Sequence, residues 1–220
     1  MVNVDQKPYH HGHLRRTLLD AAFQLAFERG INGFTLREVA RQAGVSHAAP
    51  YHHFADKSAL IEALAVESFE ALGRALRTAE EETEGNAFDK LNGMGIGYVN
   101  FALRHPAQFR FIFRPEMRQA SSPEADLYES SAVSQVGETV YHVLLERIVE
   151  CQQADLIMLG DPAPLALTAW ATVHGLASLL LDGSLIKVTG LIQGKEEVED
   201  SPTRLAKTVT QMLAVGLLKR

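Results

Sequence analysis

The chain has 220 residues, a formal net charge of −6 and 46% hydrophobic residues, enough for a packed core in one sizeable domain or in a small domain beside a larger one. No run reaches the roughly 18 to 20 uninterrupted apolar residues of a membrane span, the N-terminal stretch lacks the apolar segment of a secretory leader, and Cys151 is the only cysteine, so an intramolecular disulfide is excluded. The expectation is a cytoplasmic protein with no membrane partner, whose average charge argues weakly against nucleic acid.

That average conceals an asymmetry. Residues 1–57 hold seven Lys/Arg against five Asp/Glu, a net of +2, and six of the nine histidines; the rest holds 14 against 22, a net of −8. Screening confines a surface charge to roughly 10 Å, so the local excess matters more to a phosphate backbone than the whole-chain sum.

The periodicity is helical nearly throughout. Residues 14–29 place Leu14, Leu18, Ala22 and Leu25 on one stripe with Leu19, Phe23 and Phe27 beside it, a broad apolar face. Gly30 is a natural C-cap. Thr35 and Glu38 then form a capping box for a short helix with Leu36, Val39, Ala40 and Ala43 inward, ended by Gly44. Ser46 can cap a third helix and Asp56 a fourth, which runs to about residue 82. Three short helices with a glycine-containing turn between the second and third describe a helix-turn-helix. Further helices are expected over 87–104 (ended by Pro106), about 123–154, 162–181 and 202–219, the last with Leu205, Val209, Met212, Leu213 and Leu217 inward. Residues 184–200 read as a loop by their glycines and acidic run. The fold class is all-α, with a boundary inside the fourth helix that separates a domain over 1–60 from one over 61–220.

A helix that reads DNA presents polar and small side chains at its N-terminal end. His47, Ala48, Ala49, Tyr51, His52 and His53 form such a set. Tyr51 and the histidines can donate to phosphate oxygens, and an alanine methyl can meet a thymine methyl. Lys57 adds a cation beside a helix N-terminus, where phosphate is favoured. Thr35 and Arg37 can grip the backbone from the other side. With Ser46, these residues are the candidate DNA-binding set. A three-helix packing unit that never meets DNA is the competing structural reading.

Residues 13–64 resemble the DNA-binding domain of TetR-family transcriptional regulators. The family pattern T-x-x-x-[IVL]-A-x-x-A-G-V-S, four residues, Y-x-H-F, two residues, K-x-x-L is filled by Thr35, Val39, Ala40, Ala43, Gly44, Val45, Ser46, Tyr51, His53, Phe54, Lys57 and Leu60. Pro50 departs from it, since the family usually has Leu, Ile or Val before the tyrosine. It removes an intrahelical N–H and crowds the Ser46 carbonyl, so the third helix is expected to start later than Ser46 or to begin as a tighter turn. The segment from Tyr9 to Arg16, with His10, His11, His13 and Arg15, reads either as an arm along phosphates or as a plain leader. Its adjacent histidines lack the spacing and companions of a metal site.

The segment from Trp170 to Gly183 resembles the Trp-His-Gly signature of one subgroup of TetR-family carboxy-terminal domains through Trp170, His174 and Gly175. Trp170 and His174, at i and i+4, share a face; the pair reads as a pocket wall or dimer contact, or as core packing with a hydrogen-bonded histidine. Tyr98, Phe101, Phe109, Phe113, Trp170 and His174 are the candidate ligand-binding residues, because similar aromatics in the family line an inducer cavity. The resemblance further implies a homodimer through the last two helices, a palindromic double-stranded operator with half-sites about 34–36 Å apart, and release, as a repressor, by a small hydrophobic or aromatic effector. No nucleophile–base–orienter set and no glycine-rich phosphate loop appear, so no enzyme, cofactor or metal is expected. A helical enzyme or carrier using the carboxy-terminal pocket, and a protein-interaction module, are the rival readings.

Overall fold

The computed structural model describes residues 11–113, 131–183 and 201–217. The expected loop over 184–200, the start of the helix expected from 123, and Tyr9 and His10 lie outside the described residues. Among the described residues no β-strand occurs. The elements are α1 (His11–Arg29), α2 (Leu36–Gln42), α3 (Lys57–Glu81), α4 (Ala87–Arg104), α5 (Pro106–Phe113), α6 (Ser131–Gln153), α7 (Pro162–Leu181) and α8 (Ser201–Leu217), with 3-10 turns at Ile31–Gly33 and Ala49–His52. The all-α expectation holds. Contacts divide the chain into two compact units, Met1–Glu67 with Arg110–Val133, and Ser68–Phe109 with Ser134–Arg220.

In the first unit α1 buries Leu18, Leu19, Ala22, Leu25 and Ala26. Phe23 packs edge-on against Phe111 of α5 with ring centroids 6.0 Å apart. Phe27, expected beside them, is instead 48% exposed, with the Arg110 guanidinium 5.8 Å from its ring centroid. The α2 capping box forms as expected: the Glu38 N–H donates to Thr35 Oγ1 at 3.3 Å and the Thr35 N–H to Glu38 Oε2 at 2.9 Å. Gly44, at φ +69°, closes α2. Its N–H donates to the Arg41 carbonyl and that of Val45 to the Ala40 carbonyl, a Schellman closure that needs the left-handed conformation glycine adopts freely. Asp56 caps α3 by accepting from the Ala59 N–H at 2.8 Å.

The second unit is built on longer helices. Asn86 and Asp89 form a second capping box at the start of α4, and Asp161 with Pro162 opens α7. Pro106 does more than stop α4: it stands first in α5, where its missing N–H has no helical partner to lose. Leu91, Ile148, Cys151, Ile157 and Ala166 form a buried cluster between α4, α6 and α7, and Leu213 of α8 packs on it. Met212, expected inward, is 70% exposed, while Ala206 and Thr210 are buried. Leu213 packs inward as expected and Leu205 and Val209 are partly buried, so only Met212 departs among the described residues of that face. Arg147 of α6 binds Glu80 of α3 and Glu150.

Glycines set how closely α4 approaches its neighbours. A Cβ at Gly95 would stand 2.9 Å from Thr210 Cγ2 and 3.3 Å from Val173 Cγ1. One at Gly97 would stand 2.5 Å from Ala79 Cβ and 3.4 Å from the Ala75 carbonyl oxygen. The 2.9 Å and 2.5 Å approaches are closer than packed carbon atoms tolerate. Gly97→Ala should therefore cost about 1–3 kcal/mol of stability through overpacking, although alanine is the better helix former by about 1 kcal/mol. Urea unfolding of the variant against the wild type measures the balance, and an unchanged midpoint would show that α3 and α4 do not approach this closely.

Candidate functional site

The third element of the helix-turn-helix is the site's centre, and it is not an α-helix. Ala48, at the N-cap, has φ −82° and ψ −22°, in the right-handed helical region. The Ala49 N–H donates to the Ser46 carbonyl at 3.0 Å and the Tyr51 N–H to the Ala48 carbonyl at 3.2 Å. The Pro50 carbonyl accepts from both His53 and Phe54 at 2.9 Å. Pro50 has no N–H to reach Ser46 four residues back, so the chain closes on i→i+3 bonds. Both outcomes expected from Pro50 are found: the element is a tighter 3-10 turn, and it starts at Ala49, two residues later than a Ser46 cap would place it. No side chain caps the turn, and Ala48 rather than Ser46 stands at its N-cap; Ser46 contributes its carbonyl.

Ser46, His47, Ala48, Tyr51 and His52 are exposed, Tyr51 by 53%. Thr35 and Arg37 are exposed at the start of α2, Thr35 with its hydroxyl committed to the capping box. Three members of the expected set depart from it. Ala49 is buried to 8%, because it and Pro50 form the inner side of the turn. His53 is only partly exposed, its ring 6.3 Å from that of Phe54. Lys57 turns inward: its Nζ donates to the Phe34 carbonyl at 2.6 Å and sits 4.7 Å from the Phe34 ring centroid. Burial holds its pKa below the usual lysine range, with Glu38 opposing that shift. Lys57 thus ties the start of α3 to the loop before α2. Sequence spacing places a cation at this position but gives no sign that a backbone carbonyl holds it.

The residues taken for an N-terminal arm are divided. His11 and His13 already belong to α1. Arg16 pairs with Glu67 at 2.7 Å and with Asp20 at 3.1 Å. The Arg15 guanidinium lies 5.7 Å from the Phe54 ring centroid. These arginines brace the unit from inside α1.

In the second unit four of the candidate ligand residues meet. The Trp170 indole N–H donates to the Tyr98 hydroxyl at 3.2 Å, and that hydroxyl bonds His174 Nδ1 at 2.8 Å. An indole N–H can only donate, so the Tyr98 oxygen accepts from Trp170, and the direction of the Tyr98–His174 bond follows the imidazole tautomer. Phe109 stacks on His174 with centroids 5.4 Å apart and meets Tyr98 edge-on at 5.7 Å. Burial lowers the His174 pKa below the usual imidazole value, which favours the neutral ring. Phe101 is buried and packs against His105 at 5.2 Å. Phe113 is counted with the first unit and does not belong to this group. Tyr141 of α6, not among the expected residues, reaches Trp170 with centroids 6.4 Å apart; its position on α6 carries no sequence signal beyond helical periodicity. Among the described residues no group of three or more His, Cys, Asp or Glu is placed to hold a metal.

Residues 18–64 match the family of bacterial regulatory proteins, tetR family, and residues 91–210 match the tetracyclin repressor-like C-terminal domain. The chain belongs to the TetR family. As such it is a DNA-binding transcriptional regulator. It is 29% identical over 214 residues to the tetracycline repressor protein class D of Escherichia coli, with 81% of this chain and 92% of that protein covered. A protein of unknown function from Rhodococcus sp. RHA1 shares its structure with a TM-score of 0.75 at 33% identity, covering 97% of this chain and 100% of the other. The fold also matches the regulator FadR from Bacillus subtilis, solved in complex with stearoyl-CoA, with a TM-score of 0.71 at 17% identity over 92% of this chain and 98% of that one.

For this TetR-family chain, Lys57→Met separates anchoring from DNA contact. Methionine keeps the apolar stem and loses the charged donor. The variant should lower thermal stability by about 1.5–3 kcal/mol, the range for a hydrogen bond to a charged group, while the salt slope of DNA binding stays as in the wild type. A reduced slope at unchanged stability would return Lys57 to the phosphate-binding set.

Proposed function

We propose that the protein is a transcriptional repressor rather than an enzyme or carrier. Acting in the cytoplasm as a homodimer, it would hold a palindromic operator and release it when a small hydrophobic or aromatic molecule binds. The observation that carries this reading is the exposed polar and small set from Ser46 to His52 at the open side of the helix-turn-helix. Residues 1–60 would read DNA, through Thr35, Arg37, Ser46, His47, Ala48, Tyr51 and His52. Residues 61–220, with a carboxy-terminal domain of the Trp-His-Gly subgroup, would bind the effector and the second subunit. The similarity to a protein named as a repressor supports repression.

The effector site would lie around Tyr98, Phe109, Trp170 and His174, with Phe101 behind them. Its aromatic walls suit a flat or apolar molecule, and the neutral His174 suits an uncharged one. The effector acts by binding the form that does not hold the operator better than the form that does.

The subunits would meet through α7 and α8. Ala163, Leu167, Ala171, Gly175 and Leu179 repeat every four residues on α7. Ala163, Leu167, Ala171 and Leu179 are exposed, and a Cβ on Gly175 would meet nothing within 4 Å. On α8 Thr208, Met212 and Gly216 repeat in the same way and are exposed. Such i±4 ridges are what pairs of helices interdigitate. α7 is long and apolar enough to cross a membrane by length and composition, with a mean hydropathy of 1.4 and 28% of that stretch buried. The Trp170–Tyr98–His174 bonds favour a helix docked in protein, and a second copy covers the rest of its surface in this reading.

A gel-shift titration with the DNA upstream of the protein's own gene, at several salt concentrations, tests the central claim. One saturable site is expected, with log K falling linearly as log salt rises; dimers that bind no sequence in preference would overturn it. For the dimer, Gly175→Leu should leave helicity unchanged and shift sedimentation from dimer to monomer. A Gly175→Leu protein that still sediments as a dimer places the interface elsewhere.

A further inference from the structure

Pro50 controls more than where the third element begins. In an α-helix the Tyr51 N–H would bond to the His47 carbonyl, and Tyr51 would stand one turn above His47, about 6 Å along the axis. Here the Tyr51 N–H bonds to the Ala48 carbonyl instead. In 3-10 geometry residues i and i+3 eclipse, again with about 6 Å of axial rise. The side chain in line with Tyr51 on the open face is therefore the Ala48 methyl and not the His47 imidazole. Both Ala48 and Tyr51 are exposed, while Ala49 and Pro50 are buried. His47, also exposed, precedes the N-cap of the 3-10 turn, and continued 3-10 geometry would turn it about a third of a revolution from the pair.

We infer that Pro50 is a specificity-determining residue: by withholding one N–H it places a methyl, rather than an imidazole, beside Tyr51 on the DNA-reading face. It never touches DNA itself, since its ring faces inward. A methyl beside the tyrosine selects a thymine through its C5-methyl, whereas an imidazole selects a base edge able to hydrogen-bond. The side-chain repertoire of the segment is unchanged by the proline; its register is not. This inference rests on the DNA-binding reading proposed above.

The test selects operators from a pool of randomised half-sites with the wild type, Pro50→Ala and Pro50→Leu, after circular dichroism has established that each variant folds. The wild type should select a half-site containing a thymine that both variants no longer require, and the variants should share a new preference at that position. Identical selected sequences for folded wild type and variants would overturn the inference while leaving the DNA-binding reading intact. No selected sequence for the wild type would instead overturn that reading.

Should the Pro50 variants fail to fold, thymine-to-deoxyuracil replacement across the wild type's selected site keeps the inference open to refutation. One replacement should weaken wild-type binding about fourfold, the effect of one buried methyl-sized group. Ala48→Gly should abolish that difference and His47→Ala should retain it. A deoxyuracil effect that follows His47 and ignores Ala48, or no effect at any thymine, would overturn the inference.

Discussion

A seven-residue helix does not hold itself. Isolated helices shorter than about 12–15 residues are marginal in water, because nucleation fixes several dihedral angles for each early bond. The reading head of this protein consists of α2, seven residues long, and a four-residue 3-10 turn. Their existence depends on bonds from outside, and these converge on Phe34 to Glu38. Glu38 closes the capping box with Thr35 and receives Arg29 of α1 at 3.1 Å. Lys57 reaches the Phe34 carbonyl from the start of α3. The Phe34 ring is itself buried to 2%. The two Thr35 hydrogen bonds, and then Arg29 and Arg41, hold the Glu38 carboxyl below its ordinary pKa, so the junction is intact when Glu38 is ionised. One capped segment therefore ties α1, α2 and α3 together and supports the turn that carries the outward residues between Ser46 and His52.

The second unit solves a different problem. Its helices are long enough to persist through packing, so the constraint is how close they come and what happens to polar groups enclosed between them. Gly93, Gly95 and Gly97 let α4 approach its neighbours on two sides. The close approach brings the Tyr98 hydroxyl between Trp170 and His174. Buried polar atoms require partners, and here the indole donates to the phenol, which in turn bonds the imidazole. A group arranged in this way is both core and recognition surface. The two readings open for His174, pocket wall and hydrogen-bonded core histidine, are not exclusive.

Much of this was legible in the sequence where local chemistry decides. The Thr35–Glu38 box, the Gly44 closure, the Asp56 cap and the bounds of α4 and α7 follow from short-range bonds between residues a few positions apart. What escaped depends on contacts between elements. Periodicity assigned Phe27 and Met212 to inner faces, yet they are 48% and 70% exposed, Phe27 with the Arg110 guanidinium beside its ring. Ala49 and Lys57 were placed outward as members of a contiguous polar set. Only the fold shows that Pro50 draws Ala49 under the turn, and that a carbonyl 23 residues earlier captures the Lys57 ammonium. Pro50 itself was visible as a conflict, and its resolution into i→i+3 bonds needed the backbone.

The exposed surfaces divide the labour more sharply than the domain lengths do. On the reading head the outward residues are small or hydrogen-bonding, and the first 57 residues carry the chain's only net positive charge. The rest carries −8, which repels a phosphate backbone and would equally repel a second copy. α7 avoids that repulsion because its 20 residues contain no Asp, Glu, Lys or Arg. Its outward ridge of alanines, leucines and one glycine is the part of the acidic half where two copies can touch without opposing like charges. In the proposed dimer, apolar burial at about 25 cal/mol per Å² would drive association along that helix, while the acidic surface elsewhere would keep the rest of the two subunits, and the DNA, at a distance. In that proposed dimer, the same separation of charge that would direct the operator to the N-terminal part of the chain would direct the partner subunit to α7.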